Sequence, residues 1–409
     1  LLDKRDINAH DRRPTAEPRY RAKRHAEFFF GLERWIADAR FMDPAPVPIS
    51  NLHLHNGDLR CEQRGVCVPV MKSVLAGELT FNEPTVLMLR FRFENTGDAP
   101  VRAELPLTYA EDSWRYGYWA GMTYRLPDPV KRKLSALALA AGRITSEYEG
   151  RTVLRATFAG DMKAAVVGDG VVWSKALKPG EQCELLVKIP FIDLDTAAEQ
   201  KSLAGLKFER ACREVTEFWR AEVAKGASLK TPVPQLDAVH AAHPAYIEFS
   251  DNVIPEDPKL ITTSVGTSTY PNFINESVMI IQELDQRGFT EGVRRRLQLF
   301  VAGQGEARQP GNFTDFDGAF YGAKGWECGD YNQHHGWALW YLAEHYLLTR
   351  DAAWFKSVAD AVIKGTDWVF RQRRNVTGKL PHSRGWEKGF LPAGSLEDVT
   401  DFYYWLSTN

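Results

Sequence analysis

The chain has 409 residues, a quarter of them charged, and a formal net charge of −2. That length exceeds one ordinary core and predicts more than one domain. Acid and base nearly cancel, which gives no electrostatic case for nucleic acid, and no stretch approaches the ~20 uninterrupted apolar residues of a membrane-spanning helix.

Residues 1–48 read as an N-terminal arm, in which Arg12, Arg13, Arg19, Arg21, Lys23 and Arg24 make a basic run typical of a solvated segment. From 49 to 195 the pattern is that of strands. "TVLMLRFRFENTG", "TVLRATFAG", "AAVVGDGVVWS" and "CELLVKIPFIDL" are runs of Val, Leu and Phe with partial alternation, separated by Asn-Thr-Gly, Gly-Asp-Gly and Pro-Gly turns. Such a run of strands and turns predicts an antiparallel β-sandwich, with "LRFRFENTGDAPVRAELPLTY" as two strands joined by a tight polar turn. His53 and His55 in "NLHLHNGD" share one face of a strand; without a third ligand nearby the plainer reading is structural. Of the five cysteines, Cys61 and Cys67 would bridge only if a hairpin joined them, and two buried thiols are the simpler expectation.

At Thr196 the period changes to 3.6. Residues 196–230 read as one long amphipathic linker helix, with Leu203, Leu206, Phe208, Ala211, Val215, Phe218 and Trp219 toward one side. Residues 231–409 then carry "PQLDAVHAAHPAYIEF", "ESVMIIQELDQRG", "TEGVRRRLQLFVAGQ", "NQHHGWALWYLAEHYLLT", "DAAWFKSVADAVIKGTDWVFRQRR" and "DFYYWLSTN". These are helices with several short connections, the pattern of antiparallel helical hairpins. The expected fold is therefore multidomain β plus α.

One stretch concentrates chemistry. In "GWECGDYNQHHGWALWYLAEHY", Glu327, Asp330, Asn332, Gln333, His334 and His335 precede or open a helix. Together they offer the paired donors and acceptors that sugar hydroxyls require, with Trp326 or Tyr331 as a stacking face. A capping role for Asp330 or Asn332 accounts for one of them but not for the cluster. Along the helix Trp337, Trp340, Tyr341, Ala343 and His345 turn partly outward, while Leu339, Leu342 and Tyr346 keep the spacing of a buried face. Asp315 and Asp317 lack the further oxygen ligands of a calcium loop; Phe313, Phe316, Phe320 and Tyr321 around them suit an aromatic wall.

An antiparallel sandwich, a linker helix and helical hairpins resemble the six-hairpin glycosidase superfamily, which includes glucoamylases, trehalases, rhamnosidases and disaccharide phosphorylases. Three stretches carry the likeness: "YPNFINESVMIIQELDQRGFTEGVRRRLQLFVAGQ", "YNQHHGWALWYLAEHYLLTRDAAWF" and "GFLPAGSLEDVTDFYYW". Many relatives have Arg-Asp where this chain has Asn275-Glu276, and some have Asp where it has Gln333. The resemblance implies an (α/α)6 toroid of twelve helices; about six follow Gln235, so residues 231–409 read as an incomplete toroid and the sequence as the first part of a longer protein. It also implies a glycoside hydrolase acting on an oligo- or polysaccharide by an inverting mechanism, with two carboxylates roughly 6.5–9.5 Å apart. Glu397, with Asp398 next, is the expected general acid, because the resemblance places that acid on a loop before an inner helix; a capping acid is the plainer alternative. The base falls in a later hairpin. Glu276, which follows the aromatic turn "YPNF" and opens a helix, is assigned to substrate binding with Trp326, Glu327, Asp330, Tyr331, Asn332, Gln333 and His334. A carbohydrate is the expected partner, with no cofactor and no metal. A phosphorylase or lyase on the same scaffold, or a non-catalytic glycan-binding protein, stays open.

Overall fold

The computed structural model describes residues 26–44, 46–77, 83–111, 114–119, 122–127, 133–254, 257–264, 272–309, 313–326 and 333–375. Within them the chain is mixed β and α, with antiparallel sheets first and helices after. The strands are β1 (Ala26–Phe29), β2 (Ile36–Met42), β3 (Ser50–Asn56), β4 (Leu59–Pro69), β5 (Thr85–Asn95), β6 (Val101–Glu111), β7 (Trp114–Trp119), β8 (Met122–Pro127), β9 (Ala138–Ala140), β10 (Arg143–Tyr148), β11 (Arg151–Gly160), β12 (Lys163–Val167), β13 (Gly170–Leu177) and β14 (Gln182–Pro190). Eight of them form one sheet in the order β2-β3-β4-β5-β14-β11-β10-β9, and four form another, β1-β6-β13-β12. β1 and β2 fall inside the stretch read as an arm; the basic run before them lies outside the described residues.

Side-chain alternation explains how these sheets bury themselves. Leu89, Phe91 and Phe93 of β5 point to one face, where they share a core with Leu105 and Leu107 of β6, Trp173 of β13, and Leu185 and Val187 of β14. That core therefore draws on both sheets. Val86 and Met88 point to the other face of β5 and pack with Val66 and Val68 of β4 beneath a helical segment. Burial of each such side chain contributes about 1.5–3 kcal/mol.

The strands expected on either side of Asn-Thr-Gly are present, but β5 and β6 do not pair with each other: they belong to different sheets. Asn95 makes this crossing. Its side chain is fully buried, and Nδ2 donates to the carbonyls of Ala99 (2.8 Å) and Leu177 (3.1 Å) while Oδ1 accepts from Gly97 N–H at 3.0 Å. Cys61 and Cys67 are free thiols six positions apart on β4 itself, a separation of about 20 Å along a strand, so no hairpin brings them together. Cys61 is buried as expected, but Cys67 is exposed.

The single linker helix expected over 196–230 is two helices, α1 (Ala197–Gly205) and α2 (Phe208–Val223). Thr196 and Glu199 open α1 with a capping box. Its other end is closed from the sheet: Lys188 of β14 donates to the carbonyls of Leu203 (2.8 Å), Ala204 (3.2 Å) and Leu206 (2.8 Å). These are the groups a helix C-terminus leaves without partners, and a cation suits the local dipole. The break is a tertiary effect that helical periodicity cannot announce.

Next come α3 (Pro234–Ser250), a hairpin of β15 (Asn252–Ile254) and β16 (Asp257–Thr262), then α4 (Ile274–Gln286), α5 (Thr290–Ala302), α6 (His334–Thr349) and α7 (Ala352–Asn375). The β15–β16 hairpin lies in a stretch where only helices were expected. Gly288, at φ +88°, makes the turn from α4 to α5, and Arg350 and Asp351 make the turn from α6 to α7. Val278, Ile281, Leu284, Val293, Leu297, Phe300, Ala338, Tyr341, Leu342 and Val358 form the core shared by these two helical hairpins. The last expected helix, at 401–409, lies outside the described residues. Among the described residues no helix is long and apolar enough to cross a membrane.

Candidate functional site

Two polar contacts fix how α4 and α6 lie against each other. At their starts, His334 Nε2 is 3.0 Å from Asn275 Oδ1; at their ends, His345 Nδ1 is 2.8 Å from Asp285 Oδ2. The two helices therefore run side by side in the same direction, each followed by a returning partner in its hairpin. Their first turns, and the loop that follows α5, come together at one end.

That end holds three residues of the expected constellation, Glu276, Gln333 and His334. Glu276 lies in the first turn of α4, half-buried, where the helix dipole favours a carboxylate. Gln333 stands at the N-cap of α6 and is half-buried, with no side-chain cap hydrogen bond. His334 is completely buried; its ring lies nearly parallel to that of Tyr321, with centroids 6.3 Å apart. Asn275, which sequence reasoning did not select as a binding residue, is thereby tied to the site. Its partner lies 59 positions away, a separation that no local pattern reveals.

Trp326 is placed differently from the open stacking face expected of it. It is 5% exposed and packs in a core with Ile254, Leu260, Leu299 and Ala323. Phe313 and Phe320 are also core residues: Phe313 packs on Trp368 and Phe320 on His335. Of the expected aromatic wall, Phe316 is exposed and Tyr321 half-buried. Glu327, Asp330, Tyr331, Asn332, Glu397 and Asp398 lie outside the described residues.

His335, adjacent to His334, has a structural role. Its Nδ1 accepts from Phe320 N–H at 3.0 Å, and its Nε2–H donates to the Gly365 carbonyl at 3.2 Å. This fixes the neutral tautomer and pins the 313–326 loop between α6 and α7. Burial pushes its pKa down to about 4, only partly offset by the Gly365 carbonyl. Gln304 helps hold the same loop, donating to Gly318 O (2.9 Å) and Ala361 O (2.8 Å). Asp315 and Asp317 face bases of α7 rather than an ion site: Asp315 pairs with Arg371 at 3.2 Å and Asp317 with Lys364 at 2.7 Å. Among the described residues no group of three or more His, Cys, Asp or Glu side chains is placed to hold a metal ion.

The opposite end of the pair is closed. Tyr341 and His345, expected to turn partly outward, are fully buried. Asp285 draws both inward: His345 Nδ1–H and Tyr341 O–H donate to its Oδ2, at 2.8 and 3.3 Å. Arg294 Nε donates to His345 Nε2 at 3.4 Å and its Nη2 reaches Asp351 at 2.6 Å. The result is an alternating chain of carboxylate, neutral imidazole, guanidinium and carboxylate. Burial and the neighbouring Asp285 push Tyr341 far above its ordinary pKa, so it remains a donor.

No protein-family model matches the chain, and no curated protein matches it.

Proposed function

We propose that the chain is a glycoside hydrolase that cleaves an oligo- or polysaccharide by an inverting, two-carboxylate mechanism. In this reading the two sheets are an antiparallel β-sandwich, α1 and α2 are the linker, and the two hairpins are part of an (α/α)6 toroid. The observation that carries it is the parallel packing of α4 and α6, which gathers Asn275, Glu276, Gln333, His334 and Tyr321 at one end. Parallel inner helices with their first turns together are what a toroid needs in order to surround a sugar with hydrogen-bonding groups.

Glu276 and Gln333 are half-buried and suited to bind hydroxyls directly. His334, buried against Asn275, orders the amide beside them. Glu327, Asp330, Tyr331 and Asn332, just ahead of α6 in sequence, belong to the same proposed cleft. Glu397, with Asp398 as the second choice, is the proposed general acid; in an inverting enzyme it protonates the departing oxygen while a second carboxylate activates water.

The test is a hydrolysis screen on a panel of glycans, comparing the wild type with Glu397→Gln. Sugar release by the wild type that falls at least 100-fold in the variant, with no requirement for phosphate, supports the reading. Release that depends on phosphate points to a phosphorylase, an unsaturated product to a lyase, and binding without release to a glycan-binding protein.

A further inference from the structure

A buried ion pair joins the end of α3 to α5. Arg296 of α5 has a fully buried side chain, and Asp251, the residue that ends α3, has a side chain 3% exposed. Arg296 Nε and Nη2 donate to the same oxygen, Asp251 Oδ2, at 2.8 and 2.6 Å, and Nη2 also donates to Glu248 Oε1 at 3.0 Å. Gly292, one turn earlier on α5, leaves room for this guanidinium: a Cβ there would lie 2.9 Å from Arg296 Nη1. A glycine inside a helix costs about 1 kcal/mol relative to alanine, so the space carries its own cost.

The other oxygen of Asp251 does something an ion pair does not require. Oδ1 accepts the backbone N–H of Ser264 at 2.9 Å. The neighbouring Thr263 carbonyl lies 3.1 Å from Ser277 Oγ, in the first turn of α4, and that hydroxyl lies 2.6 Å from Asn272 Oδ1. Thr263, Ser277 and Asn272 are all buried. The polar path thus runs from Arg296 through Asp251 to Ser264 and Thr263, and from there into the helical turn that carries Asn275 and Glu276.

We propose that Asp251 and Arg296 are positioning residues that, through Ser264 and Ser277, set the place of the first turn of α4. A buried ion pair is weak evidence of stability, because its desolvation offsets its attraction; its better-attested use is to specify one arrangement among several. Here the arrangement specified is that of Glu276 and Asn275 against His334. The proposal rests on the hydrolase reading only in treating that turn as part of a carbohydrate site.

Two neutral double variants separate positioning from stability. Asp251→Leu with Arg296→Met removes both charges and the acceptor for Ser264. Asp251→Asn with Arg296→Met also removes both charges but keeps an amide oxygen for Ser264. Hydrogen–deuterium exchange of the full chain, read by mass spectrometry, is expected to show at least tenfold faster exchange over 263–277 in the first variant and exchange within about threefold of wild type in the second. The strands β5 and β14 serve as the internal reference. Equal exchange in both variants, whether fast or slow, overturns the proposal, because the acceptor for Ser264 then makes no difference. If either double variant fails to fold, Ser277→Ala in the wild-type background takes its place: it is expected to quicken exchange at 272–277 at least tenfold, and an unchanged rate overturns the proposal. Exchange requires no substrate. A chain that releases no sugar while showing the expected exchange pattern therefore counts against the hydrolase reading alone.

Discussion

At their C-terminal ends α4 and α6 are joined by the buried groups Asp285, Tyr341 and His345, with the half-buried Arg294 of α5 donating to His345. At their N-terminal ends the same two helices share the His334–Asn275 contact and present Glu276 and Gln333 half-buried beside it. Both ends are polar, but their central pairs differ: His345 and Asp285 are buried on both sides, whereas His334 meets a half-buried Asn275. The contrast separates two uses of polar side chains on one pair of helices: at the closed end they fix the register, and at the other they are available to a ligand.

The largest effect on stability is expected at the closed end. Asp285→Ala leaves the buried Nδ1–H of His345 and O–H of Tyr341 without their acceptor, at a cost of about 3–5 kcal/mol. Denaturant unfolding measures it, and a loss below about 1 kcal/mol would mean that this end is not locked as described.

The next expectation concerns acid. His335 has a folded-state pKa of about 4 against 6.5 unfolded, so the unfolded chain takes up its proton first. The stability it contributes is fully present above pH 6.5 and is lost as pH falls toward 4, by about 3 kcal/mol at 1.36 kcal/mol per pH unit. The difference between the stability curves of the wild type and His335→Gln is expected to bend across that window. A flat difference would show that the ring does not stay neutral in its buried position.

A smaller effect is expected for Asn275→Ala at the open end, about 1–2 kcal/mol by denaturant unfolding, because a single buried ring, His334, loses this hydrogen bond while the asparagine itself is only half-buried. The smallest tests the turn after α6. Arg350 ends that helix at φ +56°, a region where an L side chain is strained and glycine is not. Arg350→Gly is expected to stabilise by about 0.5–1 kcal/mol, seen as a higher melting temperature; a lower one would show that the arginine side chain contributes more than its backbone costs.

The long helices were legible because their apolar residues recur at helical spacing over three turns or more: α4 buries Ile274, Val278, Ile281 and Leu284 as a single stripe. Strands were legible from alternation and turn residues. What decided between alternatives came from far along the chain. Lys188, on a strand, stops α1 at a position where the periodicity would have carried the helix on. Asn95 sends β6 to a different sheet from β5, using a carbonyl 82 positions away. Tyr341 and His345 read as partly outward because their acceptor, Asp285, belongs to another helix. At the candidate site, residue types placed Glu276, Gln333 and His334 near one helix end, but Trp326 had two uses for the same flat face, and packing against Leu260 and Leu299 took the one that sequence composition favours in general.

The most direct test of the open end as a carbohydrate site is steady-state sugar release by the wild type and Glu276→Gln on a glycan that the hydrolysis screen identifies. The account predicts that KM rises or kcat/KM falls at least tenfold in the variant while its melting temperature stays within about 2 °C of wild type. Equal kinetics in the two proteins would contradict it and move the site away from the first turn of α4.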